Sequence, residues 1–77
     1  MNVQVWCESD QGLVGVERIT CVHIELEDGS SNDELASKVY NRLAGKEYFT
    51  EGTDWKNEVK KNVAGEIGCK VTDIEMF

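Results

Sequence analysis

The 77-residue chain contains no proline, a single histidine and, in its first 35 residues, a single basic side chain, Arg18. Without proline there is no polyproline linker and no imposed break inside a helix or strand. With His23 as the lone imidazole, a zinc site of the usual His- and Cys-rich kind has almost nothing to draw on, and any nucleophile must share that one base. No stretch approaches the roughly 18 consecutive apolar residues of a membrane span, and the opening MNVQVWCESD lacks the basic and apolar regions of a secretory leader. A soluble protein of the cytoplasm is expected. Cys7, Cys21 and Cys69 are widely spaced and odd in number, so they cannot all pair within one chain; a reducing compartment and three free thiols are the simpler reading. There is no internal repeat and no low-complexity segment.

Acid is plentiful but lies on one side of the sequence. Residues 1–35 hold Glu8, Asp10, Glu17, Glu25, Glu27, Asp28, Asp33 and Glu34 against Arg18, whereas in residues 36–77 the seven acids are matched by seven bases. The whole formal charge of −7 thus belongs to the first half. Segregated charge carries a self-repulsion that evenly spread acids would avoid, and it points to a partner of opposite sign. Direct nucleic-acid binding is disfavoured, because phosphates would be repelled by the first half and would meet balanced charge in the second.

The composition is that of a folded chain, and its length allows one domain over 1–77, burying roughly 60 to 65 % of the surface exposed on unfolding. Asn2 to Glu8 alternates Val3, Val5 and Cys7 with Gln4, Trp6 and Glu8, the period of a half-buried strand. Ser9-Asp10-Gln11-Gly12 predicts a turn into a hairpin. From Leu13 to Leu26 the apolar face changes register: Val14, Val16, Val22, Ile24 and Leu26 are even, Ile19 and Cys21 odd. A bulge or a break near Glu17 to Thr20 reconciles them. Ser31-Asn32-Asp33-Glu34 reads as a capping box led by Ser31, followed by a helix with the stripe Leu35, Val39, Leu43, flanked by Ala36 and Tyr40 and closed by a left-handed Gly45. A connector, Lys46 to Gly52, leads to a second helix capped by Thr53 or Asp54, with Trp55, Val59, Val63 and Ile67 four apart and an end between Gly65 and Gly68. Cys69 to Phe77 has the mixed pattern of an edge or bulged strand. The fold class is α+β, ββ(β)ααβ: a three- or four-stranded sheet with two helices on one face and acids opposite. A β-grasp arrangement, with the last strand in the sheet centre, is the alternative.

Chemistry is thin. Cys21, His23 and Glu25 share one face of a strand, but same-face side chains stand about 6.8 Å apart, too far for one ion to gather all three at roughly 2.0 to 2.3 Å. Gly12-Leu13-Val14-Gly15 precedes a strand, not the helix a phosphate loop needs. No cofactor or metal site is expected, and no enzymatic activity. Glu17, Glu25 and Glu27 share the parity of His23, and Asp28, Asp33 and Glu34 continue the acidic run into the first turn of a helix, where the helix dipole favours anions. Of the connector aromatics, Phe49 or Trp55 is expected to fasten the loop to the core and Tyr48 to stay exposed as a partner anchor.

The partner-binding set expected from sequence is therefore Glu17, Glu25, Glu27, Asp28, Asp33, Glu34 and Tyr48. The corresponding function is a non-enzymatic module, monomer or homodimer, docking on a basic protein surface. By analogy of size and charge, virus- and mobile-element-encoded inhibitors of the anti-CRISPR or anti-restriction type block nucleic-acid-binding sites in this way. A same-face row of acids, at one charge per about 6.8 Å, has half the density of a DNA strand, so loop and helix carboxylates must complete any nucleic-acid mimicry. The competing class is a homo-oligomeric accessory or assembly subunit whose charge serves only solubility.

Overall fold

In a computed structural model, which describes residues 1–9, 14–52 and 54–77, four strands form one mixed sheet accompanied by two helices. The strands are β1 (Asn2–Ser9), β2 (Val16–Glu25), β3 (Tyr48–Phe49) and β4 (Ile74–Met76), and the helices α1 (Asp33–Leu43) and α2 (Trp55–Ile67). The expected turn at Asp10 to Gly12, Gly12 and Leu13 of the glycine-rich segment, and Thr53 lie outside the described residues. No helix among the described residues is long and apolar enough to cross a membrane.

The alternation in β1 is realised directly: Val3 and Val5 are wholly buried, while Gln4 and Trp6 sit on the other face. β2 pairs antiparallel with β1, and between the Trp6–Cys21 and Cys7–Ile19 pairs Thr20 is left unopposed. This is the bulge that the changing apolar register demanded. It lets Ile19 join Val22 and Ile24 in the core, and the Thr20 hydroxyl donates to the Trp6 carbonyl across it at 3.3 Å. The second segment stays one strand, and the fourth strand arises inside the connector, where Tyr48 and Phe49 pair with Glu17 and Val16. The sheet order is β3-β2-β1-β4. β4 runs parallel to β1, as a β-grasp would have it, but at the edge rather than in the centre, which fits its mixed composition.

α1 buries Ala36, Val39 and Leu43, with Leu35 and Tyr40 at the rim, and α2 buries Val59, Val63 and Ala64; all join the cluster formed by the inward strand residues. The cap of α1 is Asn32, not Ser31: its side-chain oxygen accepts from Leu35 N–H at 3.1 Å. Ser31 is held in a bridge with Glu25, secured by the Asn32 N–H to Ile24 carbonyl bond of 2.9 Å, so the helix starts one residue later. Asn32→Ala should therefore lower stability by about 0.5 to 2 kcal/mol and Ser31→Ala by much less, read from urea unfolding midpoints. A larger loss from Ser31→Ala would reassign the cap.

Gly45 does not adopt the left-handed conformation. The Ala44 and Lys46 N–H groups take the Tyr40 and Leu43 carbonyls at 2.7 and 3.0 Å, with Ala44 in the right-handed conformation. That role falls to Gly68 on α2, at φ +85°, whose N–H reaches Ala64 O at 2.7 Å.

Candidate acidic docking corner

The chain turns from β2 into α1 through a loop closed by Leu26 N–H on Ser30 O (2.7 Å) and Gly29 N–H on Leu26 O (3.0 Å). Within it the Asp28 carboxylate accepts from the Ser30 hydroxyl at 2.6 Å and the Ser30 amide at 3.0 Å. These bonds, the hydroxyl first, hold the Asp28 carboxyl below its ordinary range, so its charge persists into mild acid. Glu27 accepts from the Met1 ammonium at 2.7 Å, which lowers its pKa and raises that of the ammonium. Glu25 ends the strand just before the loop, exposed, and Asp33 and Glu34 occupy the exposed first turn of α1, at the positive end of its dipole.

Glu25, Glu27, Asp28, Asp33 and Glu34 thus meet at one corner of the molecule. Asp73, contributed by the far end of the chain where it enters β4, adds its field to Glu27 and Met1. Its presence depends on β4 lying beside β1, a pairing with no local signal. Glu17 is not part of this corner. Eight residues back along β2, it lies roughly 25 Å away at about 3.4 Å per residue. The Thr20 bulge also moves Glu17 to the same side as Ile19, out of the row that holds His23 and Glu25, and its carboxylate accepts from the Ser9 hydroxyl at 2.7 Å.

Tyr48 is not an exposed anchor. Its side chain is 1 % accessible in the core, and its hydroxyl accepts from the Asn62 side-chain amide at 3.0 Å. The next residue, Phe49, falls on the opposite side of the short strand and is 60 % accessible. Tyr48 takes the core place expected of Phe49, while Trp55, the other ring expected to fasten the connector, packs partly buried against the core. A further aromatic pair has no local sequence signal: Trp6 on β1 stacks on Phe77 just beyond β4, with ring centroids 5.2 Å apart.

Cys21, His23 and Glu25 do share the side of β2 that faces away from the core, but no group of three or more His, Cys, Asp or Glu among the described residues could hold a metal ion. All three cysteines are free. Burial, helped by the Glu17 charge, pushes the Cys7 thiol up to about 11, and burial also raises Cys69, whereas Cys21 is exposed. At pH 8 an aromatic disulfide reagent should therefore modify Cys21 first and Cys7 last, because the thiolate is the attacking species. Mass mapping of partly modified protein checks the order, and early labelling of Cys7 would contradict it.

Comparison of the chain with protein-family models, with curated proteins and with solved structures finds no match, so the functional reading rests on the geometry of these residues alone.

Proposed function

We propose that this chain is a non-enzymatic protein-binding module of the cytoplasm whose β2–α1 corner docks on a basic protein surface, acting as an inhibitor that occupies a nucleic-acid-binding site. The observation that carries the reading is the meeting of Glu25, Glu27, Asp28, Asp33 and Glu34 with Asp73 at one end of the fold. Acids needed only for solubility have no reason to collect where they repel one another. Strand, loop and helix-start carboxylates together also exceed the charge density of a strand row alone, as imitation of a phosphate backbone requires.

The test is affinity capture with the immobilised full chain, followed by elution with duplex DNA. The expected result is a captured protein whose release by DNA is concentration-dependent, with no binding of DNA to the chain itself. Capture that ignores both DNA and salt would remove the inhibitor reading. The subunit alternative draws on the Trp6–Phe77 stack at the sheet surface and predicts a stable homo-oligomer in sedimentation equilibrium.

A further inference from the structure

The two ends of β2 are covered on the side away from β1, and its middle is not. β3 pairs only with Val16 and Glu17, and Ser31 bridges to Glu25 at the other end. Among the described residues no strand lies beside residues 19–23 on that edge. In an antiparallel ladder each residue sends its N–H and C=O to the same side, and alternate residues send theirs to opposite sides. Ile24 sends its carbonyl away from β1, to Asn32 N–H at 2.9 Å. Val22, two residues earlier in the same ladder, sends both its groups the same way, and neither meets a protein partner among the described residues. The edge at Val22 opens into a groove of about 400 Å³ between β2 and α1, with Thr20, Cys21 and Val22 on one side and Asp33, Ser37 and Asn41 on the other.

We infer that this groove receives an extended segment of a basic partner protein, which adds to the sheet as a strand against Val22. The inference rests on the protein-binding reading above and specifies the contact. An unpaired N–H and C=O at a strand edge call for the main chain of another segment, and the hydroxyl and amide of Ser37 and Asn41 offer partners to its side chains. No lysine, arginine or histidine lines the groove, while Asp33 does, and Glu25 and Glu34 stand at the same end; the complementary segment is cationic. A second copy is the poorer occupant. Antiparallel pairing of two β2 edges would bring the Glu25 end of each against the Glu17 end of the other, between chains that each carry −7. The Thr20 bulge keeps the pairing short, so the added strand should be held weakly and in a salt-dependent way.

The experiment titrates the ¹⁵N-labelled full chain with the heptapeptide Lys-Thr-Val-Lys-Val-Thr-Lys. Two controls are the same peptide N-methylated at its three central backbone nitrogens and the acidic counterpart Glu-Thr-Val-Glu-Val-Thr-Glu. The expected result is amide shifts concentrated in residues 19–23 and 36–41, exchange of the Val22 N–H slowed at least tenfold by the basic peptide, and at least tenfold weaker binding of both controls. Ser37→Trp, which fills the groove from an exposed helix position, should weaken binding at least tenfold with an unchanged melting curve. Shifts confined to Glu25–Glu34 with Val22 unprotected would overturn the strand addition and leave the docking corner standing. Absence of basic-peptide binding anywhere would count against both. Val22 protection that grows with protein concentration in the absence of peptide would overturn the inference by making a second copy the occupant.

Discussion

Replacing Tyr48 by alanine should lower the unfolding free energy by about 3 to 5 kcal/mol, the range for deleting a large buried aromatic. For a domain of this length the total stability is on the order of 4 to 12 kcal/mol, so the loss is at least about a quarter of the total and unfolds the chain outright at the lower end of that range. Tyr48 is 1 % accessible and belongs to the same buried cluster as Ile19 of β2 and Val59 and Val63 of α2. Tyr48→Phe keeps the ring and removes only the acceptor for Asn62, a half-buried amide that water can reach, so its cost should be about 1 kcal/mol or less. Phe49→Ala, at a position 60 % accessible, should cost far less than Tyr48→Ala. Urea midpoints of the three variants settle the order, and equal losses at 48 and 49 would refute the assignment of Tyr48 to the core.

The same ring sets part of the alkaline limit. Burial raises the Tyr48 pKa above its ordinary value of 10.0, and the Asn62 bond opposes this only in part. The contribution of the neutral phenol is therefore complete below the unfolded-state value and is lost as pH rises through the folded one. Cys7, raised from 9.0 to about 11, acts in the same direction. Stability should be flat near neutrality and decline above about pH 9, less steeply in Tyr48→Phe.

What could be read from the chain was whatever has a period. The alternation of Val3 and Val5, the four-residue steps of Leu35, Val39 and Leu43 and of Val59 and Val63, and even the register change that demanded a bulge are local patterns, and the structure realises each of them. Tyr48 and Phe49 had no period to read. A two-residue strand gives no alternation to count, and only its pairing with β2 decides which ring turns inward. Ser31 and Asn32 are equally good caps by type, and the choice between them was made by Ser31 pairing with Glu25, not by the helix. Glu17 leaves the row of His23 and Glu25 because the bulge falls at Thr20, between it and them, and a parity count along the sequence does not register the extra residue. Asp73 and Phe77 came to their partners through the parallel pairing of β4 with β1, a contact across almost the full chain. The open edge at Val22 belongs to the topology: it exists because β3 is short and Ser31 returns only as far as Glu25.

Charge reversal at the acidic corner should slow association with a captured basic partner at least tenfold at low salt, whereas the same change elsewhere should leave the rate within about twofold. The corner pair is Glu25→Lys with Glu34→Lys; Glu27 and Asp28 are left in place because Met1 and Ser30 hold them in local bonds. The control pair is Glu51→Lys with Glu58→Lys, both exposed and close to β3 at the opposite end of β2. Each pair changes the net charge equally, and each reverses one acid in the first turn of a helix, so the loss of favourable dipole interaction is matched. Steering by a local field raises on-rates by roughly 10 to 1,000-fold and fades as salt shortens the Debye length from about 30 Å at 0.01 M to 8 Å at 0.15 M. The difference between the pairs should accordingly shrink across that range, with dissociation rates changing less than association rates, because long-range attraction acts on the encounter. Surface binding kinetics at the two salt concentrations provide the measurement. Equal slowing by the two pairs would mean that total charge alone governs the encounter, and the corner would lose its claim as the docking site.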